Sequence, residues 1–463
     1  MTQERETPAD AASARICEVE PWTLPEPEPT TLIALWPGDQ PPTRLEILAA
    51  FSSAADQNAQ VLDELSPNEP DVPWAIAVGI PGLPVALNIW TEPARELPPD
   101  ETDAIGAADC KWVVGVETLL EPGDPLDHFV TLMRLVTSAL ESSPAILDVN
   151  TTQWHTRQRL AEQFDDPSIG PPIEMLWVIQ AVSRNDDGPR GGAGWLHTHG
   201  LWRCGKPELE MLEVPPAYTI RACELLNTIA GRLLEEPPPA PGEEMMIGNE
   251  MAVILQPWQD VAPYLADDTP GSMRDRADEN DNAHTGVRAV VCDPNPRGAY
   301  RRLWVWPQAA LDRLDRDDAV LYPAQRVSQR QASIARATWP ELATTFSSLS
   351  GPLLRTDDKP ADDADEPAVR FIIKAGLAQS SQPDGDREHL WFVVRRFEAD
   401  RAEAQLVNQP IQLGRMNKGD ITWIERETVS DWSVITPRGS FDPSSVGQMQ
   451  RVIDELREEV LKP

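Results

Sequence analysis

Two histidines separated by a single residue are the sharpest chemical signal in the chain. They lie in Trp195-Leu196-His197-Thr198-His199-Gly200-Leu201. On a β-strand, residues two apart point to the same face, so His197 and His199 can offer two imidazoles to one ion. Cys204, Glu208 and Glu210 follow closely enough to supply a third ligand. Against this, the chain has only six histidines, and no HExxH or HxxxH motif accompanies the pair. A structural zinc site needs four ligands, and a catalytic one needs three plus a base held near the bound water. No motif specifies either. The plainer account is two strand imidazoles that donate to backbone carbonyls where the strand ends at Gly200. Neither a metal nor a cofactor is therefore expected, and a metal-dependent enzyme using His197 and His199 stands as the alternative.

A second group of polar residues lies near the C-terminus: Glu388-His389-Leu390-Trp391, Asn408-Gln409-Pro410, Gly419-Asp420 and Ser430-Asp431-Trp432. Glu388 and His389 are an acid/base combination, yet neighbours on a strand face opposite ways and cannot share a pocket without a bulge. Asp431 beside Trp432 suggests a buried corner in which the carboxylate meets the indole N–H. Gly414 and Gly419-Asp420 suit turns, Asn408 can cap a loop, and Pro410 can sit at a strand edge. Structural roles are expected for all of these. The four motifs at this spacing resemble the YegJ-like family, small β-rich bacterial domains without an established activity. The resemblance implies a fold and no reaction.

Other chemistries lack their motifs. No GxSxG elbow, Walker loop or GxGxxG after a strand is present. Gly191-Gly192-Ala193-Gly194 precedes a strand, so it lacks the helix N-terminus that holds a phosphate. The string His197-Thr198-His199-Gly200-Leu201, followed by Pro207-Glu208-Leu209-Glu210, is similar to the Thr-x-Gly-Met/Leu…Pro-x-Glu-Leu/Ile pattern of suppressor-of-fused-like domains. His199 stands where that pattern has an aromatic or small residue. The resemblance covers residues 28–235. Bacterial relatives of those domains often occur as immunity proteins against secreted toxins, so it implies a protein-binding role.

The elements that must position these residues follow from apolar periodicity. Residues 30–36, 74–80, 83–90, 111–116 and 145–149 read as strands, with a hairpin at Pro81-Gly82. Helices are expected from Thr43 to Ala55 and after Asp124-Pro125, where Leu126, Phe129, Val130, Met133, Val136 and Leu140 share one face. Residues 174–183 and 193–202 read as strands, and a helix over 216–234 ends at Pro237-Pro238-Pro239. Further strands are expected at 251–255, 287–292 and 303–306, with a mobile acidic loop at 267–284. Helical sequence over 325–349 breaks near Trp339-Pro340. After it, short strands are expected at 370–374, 390–397, 404–413 and 420–425. Asp442-Pro443 then opens a last helix with Val446, Met449, Ile453, Leu456 and Val460 on one stripe.

These elements predict a multi-domain α+β protein, with antiparallel sheets carrying helices on one face and a small C-terminal β-rich domain. The expected divisions are a disordered acidic tail over 1–27, an α+β domain over 28–235, and a continuation or second subdomain over 236–355. An acidic linker over 356–367 with six acidic residues and two prolines then leads to the β-rich domain over 368–463.

Composition narrows function further. The 463 residues are 41% hydrophobic, enough for packed cores. Lys and Arg total 40 against 75 Asp and Glu, a formal charge of −35. Such a field repels phosphate backbones and anionic membranes, so neither nucleic acid nor membrane is an expected partner. Five widely spaced cysteines without a CxxC pair fit reduced thiols in the cytoplasm. The N-terminus has no apolar signal core, and no apolar run reaches the about 20 residues that span a bilayer. The leading expectation is a non-enzymatic protein that binds a basic partner, with toxin immunity as the specific form.

Overall fold

A computed structural model of the chain describes residues 22–24, 26–66, 71–164, 171–183, 194–277, 284–294, 306–315, 321–322, 324–349, 353–356, 369–378, 387–410 and 413–461. The linker from 357 to 367, the glycine run at 191–193, most of the N-terminal tail, the strand expected at 303–305 and Cys17 lie outside the described residues. The chain forms an α+β protein with three mainly antiparallel sheets and ten α-helices among the described residues.

The first stretch runs β1 (Thr30–Trp36), α1 (Arg44–Ala54), β2 (Gln60–Leu65), β3 (Trp74–Gly79), β4 (Leu87–Pro93), α2 (Pro99–Ile105), β5 (Trp112–Thr118), α3 (Pro125–Ala139), β6 (Ala145–Asp148), β7 (Gln153–Thr156) and α4 (Arg157–Phe164). Its sheet has the order β2-β3-β4-β5-β1-β6-β7. Thr43 and Glu46 close a reciprocal capping box at α1, and Asp124 caps α3 by accepting from the Asp127 N–H. The apolar stripe of α3 buries Leu126, Phe129, Val130, Met133 and Val136 as its spacing requires. The sequence misses β2 because it is an edge strand exposed along almost its whole length, with no buried alternation to read.

The second stretch runs β8 (Val178–Ser183), β9 (Gly194–His199), β10 (Glu208–Val214), α5 (Thr219–Glu235), β11 (Glu244–Gly248), β12 (Met251–Pro257), α6 (Trp258–Val261), β13 (Arg288–Cys292) and α7 (Gln308–Asp315). These strands form the sheet β11-β12-β13-β10-β9-β8, in which only β10 and β13 run parallel. α5 packs against β9 and β10 and buries Leu225, Leu226 and Ile229. Two expectations change here. β9 ends at His199 and does not continue to 202, because Gly200 turns with φ 116° into a 3-10 turn over Leu201–Cys204. A Cβ at Gly200 would lie 2.3 Å from the Leu176 carbonyl oxygen, so the turn requires glycine. The described part of the acidic loop, 267–277, is ordered by turns and a 3-10 helix over Met273–Arg276.

The third stretch runs α8 (Gln325–Ala337), α9 (Trp339–Ser348), β14 (Leu354–Arg355), β15 (Val369–Ala378), β16 (Arg387–Glu398), β17 (Arg401–Leu406), β18 (Ile421–Glu425), β19 (Val429–Thr436), β20 (Gly439–Phe441) and α10 (Val446–Leu461). The sheet order is β18-β17-β16-β15-β19-β20, with β14 parallel to β15. One apolar cluster joins Trp339, Leu342 and Phe346 of the helices to Phe371, Ile373, Phe392 and Trp432 of the sheet and to Met449, Ile453 and Leu456 of α10. A chain cut within 356–367 therefore divides this core. Asp442 caps the 3-10 turn Pro443–Ser445 that leads into α10.

The chain separates into two compact units, one of residues 1–30 and 176–323, the other of 31–175 and 324–463. Among the described residues, no helix is long and apolar enough to cross a membrane.

Candidate metal centre

β9 places Trp195, His197 and His199 on one face of the second sheet, as two-residue spacing dictates. His197 sits opposite Glu210 of β10 and Gln180 of β8 in the ladder. A third imidazole arrives from outside the sheet. His284 precedes β13 and meets the pair, so that one ligand nitrogen from each of His197, His199 and His284 lies within 4.8 Å of the others. The ring centroids are 4.9 Å apart for His197 and His199, 5.1 Å for His197 and His284, and 5.6 Å for His199 and His284.

His197 is fully buried, and neither of its ring nitrogens has a hydrogen-bond partner among the described residues. The expected bond from this imidazole to a backbone carbonyl is therefore not made. Burial, together with the Arg288, His199, His284 and Arg276 charges, pushes the His197 pKa down to about 2. The ring is held neutral, the protonation state in which imidazole donates a lone pair to a metal.

A tryptophan and arginine scaffold positions the three rings. Trp195 stacks on His197 with centroids 4.1 Å apart and planes 30° apart. Its indole N–H donates to Glu210 Oε2 at 2.9 Å. Arg276 donates to both oxygens of Glu210, at 2.9 and 2.8 Å, in an ion pair whose side chains are wholly buried. The same guanidinium donates to the His284 carbonyl at 2.9 Å and to the Gly271 carbonyl at 3.0 Å. It also packs on the Trp195 and Trp258 rings. The indoles of Trp258 and Trp202 donate to the Gly286 and Val287 carbonyls at 3.0 and 2.9 Å, fixing the segment that carries His284.

The other ligand candidates serve different ends. Glu208 accepts from the Thr198 hydroxyl and from the Gly200 and Trp202 N–H groups, closing the turn after β9. Pro207 is buried at the entry to β10. Burial pushes the Cys204 thiol up to about 12, so it offers no thiolate at neutral pH. The carboxylates that the sequence proposed as third ligand are thus scaffold, and the third imidazole is the one that sequence reasoning missed. His284 belongs to no periodic pattern. The available cue was scarcity, since the site gathers three of the six histidines in the chain.

The C-terminal motif residues do not converge on this centre in sequence or sheet, and they belong to the other unit. Asp431 and Trp432 lie within β19, not at a corner, and so point to opposite faces. The indole N–H of Trp432 donates to Thr338 Oγ1 at 3.0 Å, while Asp431 accepts from Gln331 at 3.0 Å. His389 Nδ1 lies 2.8 Å from Ser430 Oγ, and Glu388 accepts from the Leu413 N–H. The Lys374 ammonium stands over the Trp391 ring. Gly419 turns with φ 92°, and Asp420 accepts from the Asn417 N–H. Asn408 is exposed and Pro410 half-buried after β17.

Comparison with known proteins finds two family matches. Residues 179–291 match the C-terminal part of a protein of unknown function, DUF4026, and residues 366–453 match DUF2314, an uncharacterized protein conserved in bacteria. No curated protein and no solved structure is similar to the chain. The first match includes all three histidines.

Proposed function

We propose that the protein binds a divalent transition-metal ion through His197, His199 and His284. The observation that carries this reading is a convergence of three imidazoles, with both nitrogens of the buried His197 ring lacking a hydrogen bond among the described residues. Three nitrogen donors, with no thiolate or carboxylate among the described residues of the group, suit zinc, cobalt or nickel and not the oxygen-seeking calcium or magnesium. Tetrahedral zinc holds nitrogen ligands at about 2.0–2.1 Å, so the rings close slightly on binding. The test is the metal content of protein purified without added metal, and its zinc uptake after chelation. One equivalent is expected, lost in His197→Ala and held more weakly in His284→Ala, both variants keeping a native circular dichroism spectrum. Absence of uptake at micromolar zinc defeats the reading.

A protein-binding role is a second reading, supported by the −35 formal charge. Its partner is a basic protein, and the suppressor-of-fused-like resemblance over residues 28–235 supports a role of the toxin-immunity kind. Steering by an acidic surface makes association fall steeply with ionic strength. A partner whose association rate is unchanged by salt opposes this second reading.

A further inference from the structure

Among the described residues, the proposed centre gathers three imidazoles and no carboxylate. Its three ligands are neutral imidazoles, so these ligands do not balance the charge of a divalent ion. Among the described residues, the carboxylates of Glu208 and Glu210 are committed elsewhere. Glu210 accepts from Arg276 and Trp195, and Glu208 closes the turn at Gly200. The neighbouring charged side chains that act on His197 are Arg288 and Arg276, both cations. His197 is fully buried, while His199 and His284 are half-buried. Three protein ligands leave a position for an exogenous group. Electrostatic attraction at that position is stronger than in bulk water, because the surroundings are of low dielectric.

We infer that the ion held by His197, His199 and His284 takes a small anion as its remaining ligand, bound through an anionic oxygen. The inference rests on the metal reading above. The chemistry is shared by carboxylates and by phosphate-class anions, either of which can act as a single-oxygen donor. Neutral molecules of the same shape lack the charge that the centre demands, and bind more weakly.

The experiment uses the full-length protein loaded with cobalt(II), whose visible absorption reports directly on the coordinated atoms. Acetate, inorganic phosphate and the neutral acetamide are titrated separately. The expected result is a saturable change in the cobalt bands with acetate or phosphate, at concentrations at least about tenfold below any effect of acetamide. The anion that acts identifies the ligand class. Cobalt uptake with bands that neither anion alters overturns this inference and leaves the metal site standing. Failure to take up cobalt overturns the metal reading itself, and this inference with it.

Discussion

Arg276 donates to the backbone carbonyl of His284 at 2.9 Å while its guanidinium is paired with the buried carboxylate of Glu210. One ion pair thereby ties the strand bearing Glu210 to the segment that carries the third imidazole. Glu210 also anchors the Trp195 indole that stacks on His197. Breaking a buried pair by removing one partner leaves an uncompensated charge. Glu210→Ala is therefore expected to cost about 3–5 kcal/mol in chemical denaturation and to weaken metal uptake with it. A variant of unchanged stability would mean that Arg276 finds its compensation elsewhere.

Trp432 is fully buried in the core shared by α8, α9, the third sheet and α10. Trp432→Ala is expected to cost about 3–5 kcal/mol as a large core truncation. Thr338→Val, which removes the acceptor and leaves the indole N–H buried, is expected to cost about 1–3 kcal/mol. Thermal or denaturant unfolding of the two variants checks both values. A smaller loss in the first than in the second contradicts this packing.

Burial pushes the Asp431 carboxyl above the usual carboxylate range, against hydrogen bonds from Gln331 and the Trp432 N–H and the Lys374 charge, with Asp442 adding to the rise. A folded-state pKa that is raised means the folded protein holds this proton where the unfolded chain has lost it. The associated stability is present below the ordinary carboxyl pKa and is lost as pH rises through the folded value. Asp431→Asn, which cannot ionise, is therefore expected to melt higher than the native protein at neutral pH, with the gap closing in acid. A gap that widens in acid reverses the sign and rejects the argument.

The sequence showed those parts of the molecule whose burial is periodic. The α3 stripe, the hairpin at Gly82, the break at Trp339-Pro340 and the Met449-Ile453-Leu456 stripe all read directly from spacing. Strands whose composition misstates their burial did not. β10 begins Glu-Leu-Glu yet is buried, because Glu208 and Glu210 are fully hydrogen-bonded. β19 carries Ser430-Asp431 near its start, and its Asp431-Trp432 reads as a buried corner. At the centre itself, the shared face of His197 and His199 follows from strand geometry alone. His284 does not, since a contact that spans the sheet from a loop has no local period to betray it.

The most direct test of the metal reading is zinc-edge X-ray absorption on zinc-loaded, full-length protein. The account predicts a first shell of nitrogen or oxygen atoms at about 2.0–2.1 Å with the outer-shell pattern of three imidazoles, and loss of one imidazole's contribution in His284→Ala. A sulfur atom at about 2.3 Å, or a spectrum that His284→Ala leaves unchanged, would contradict it.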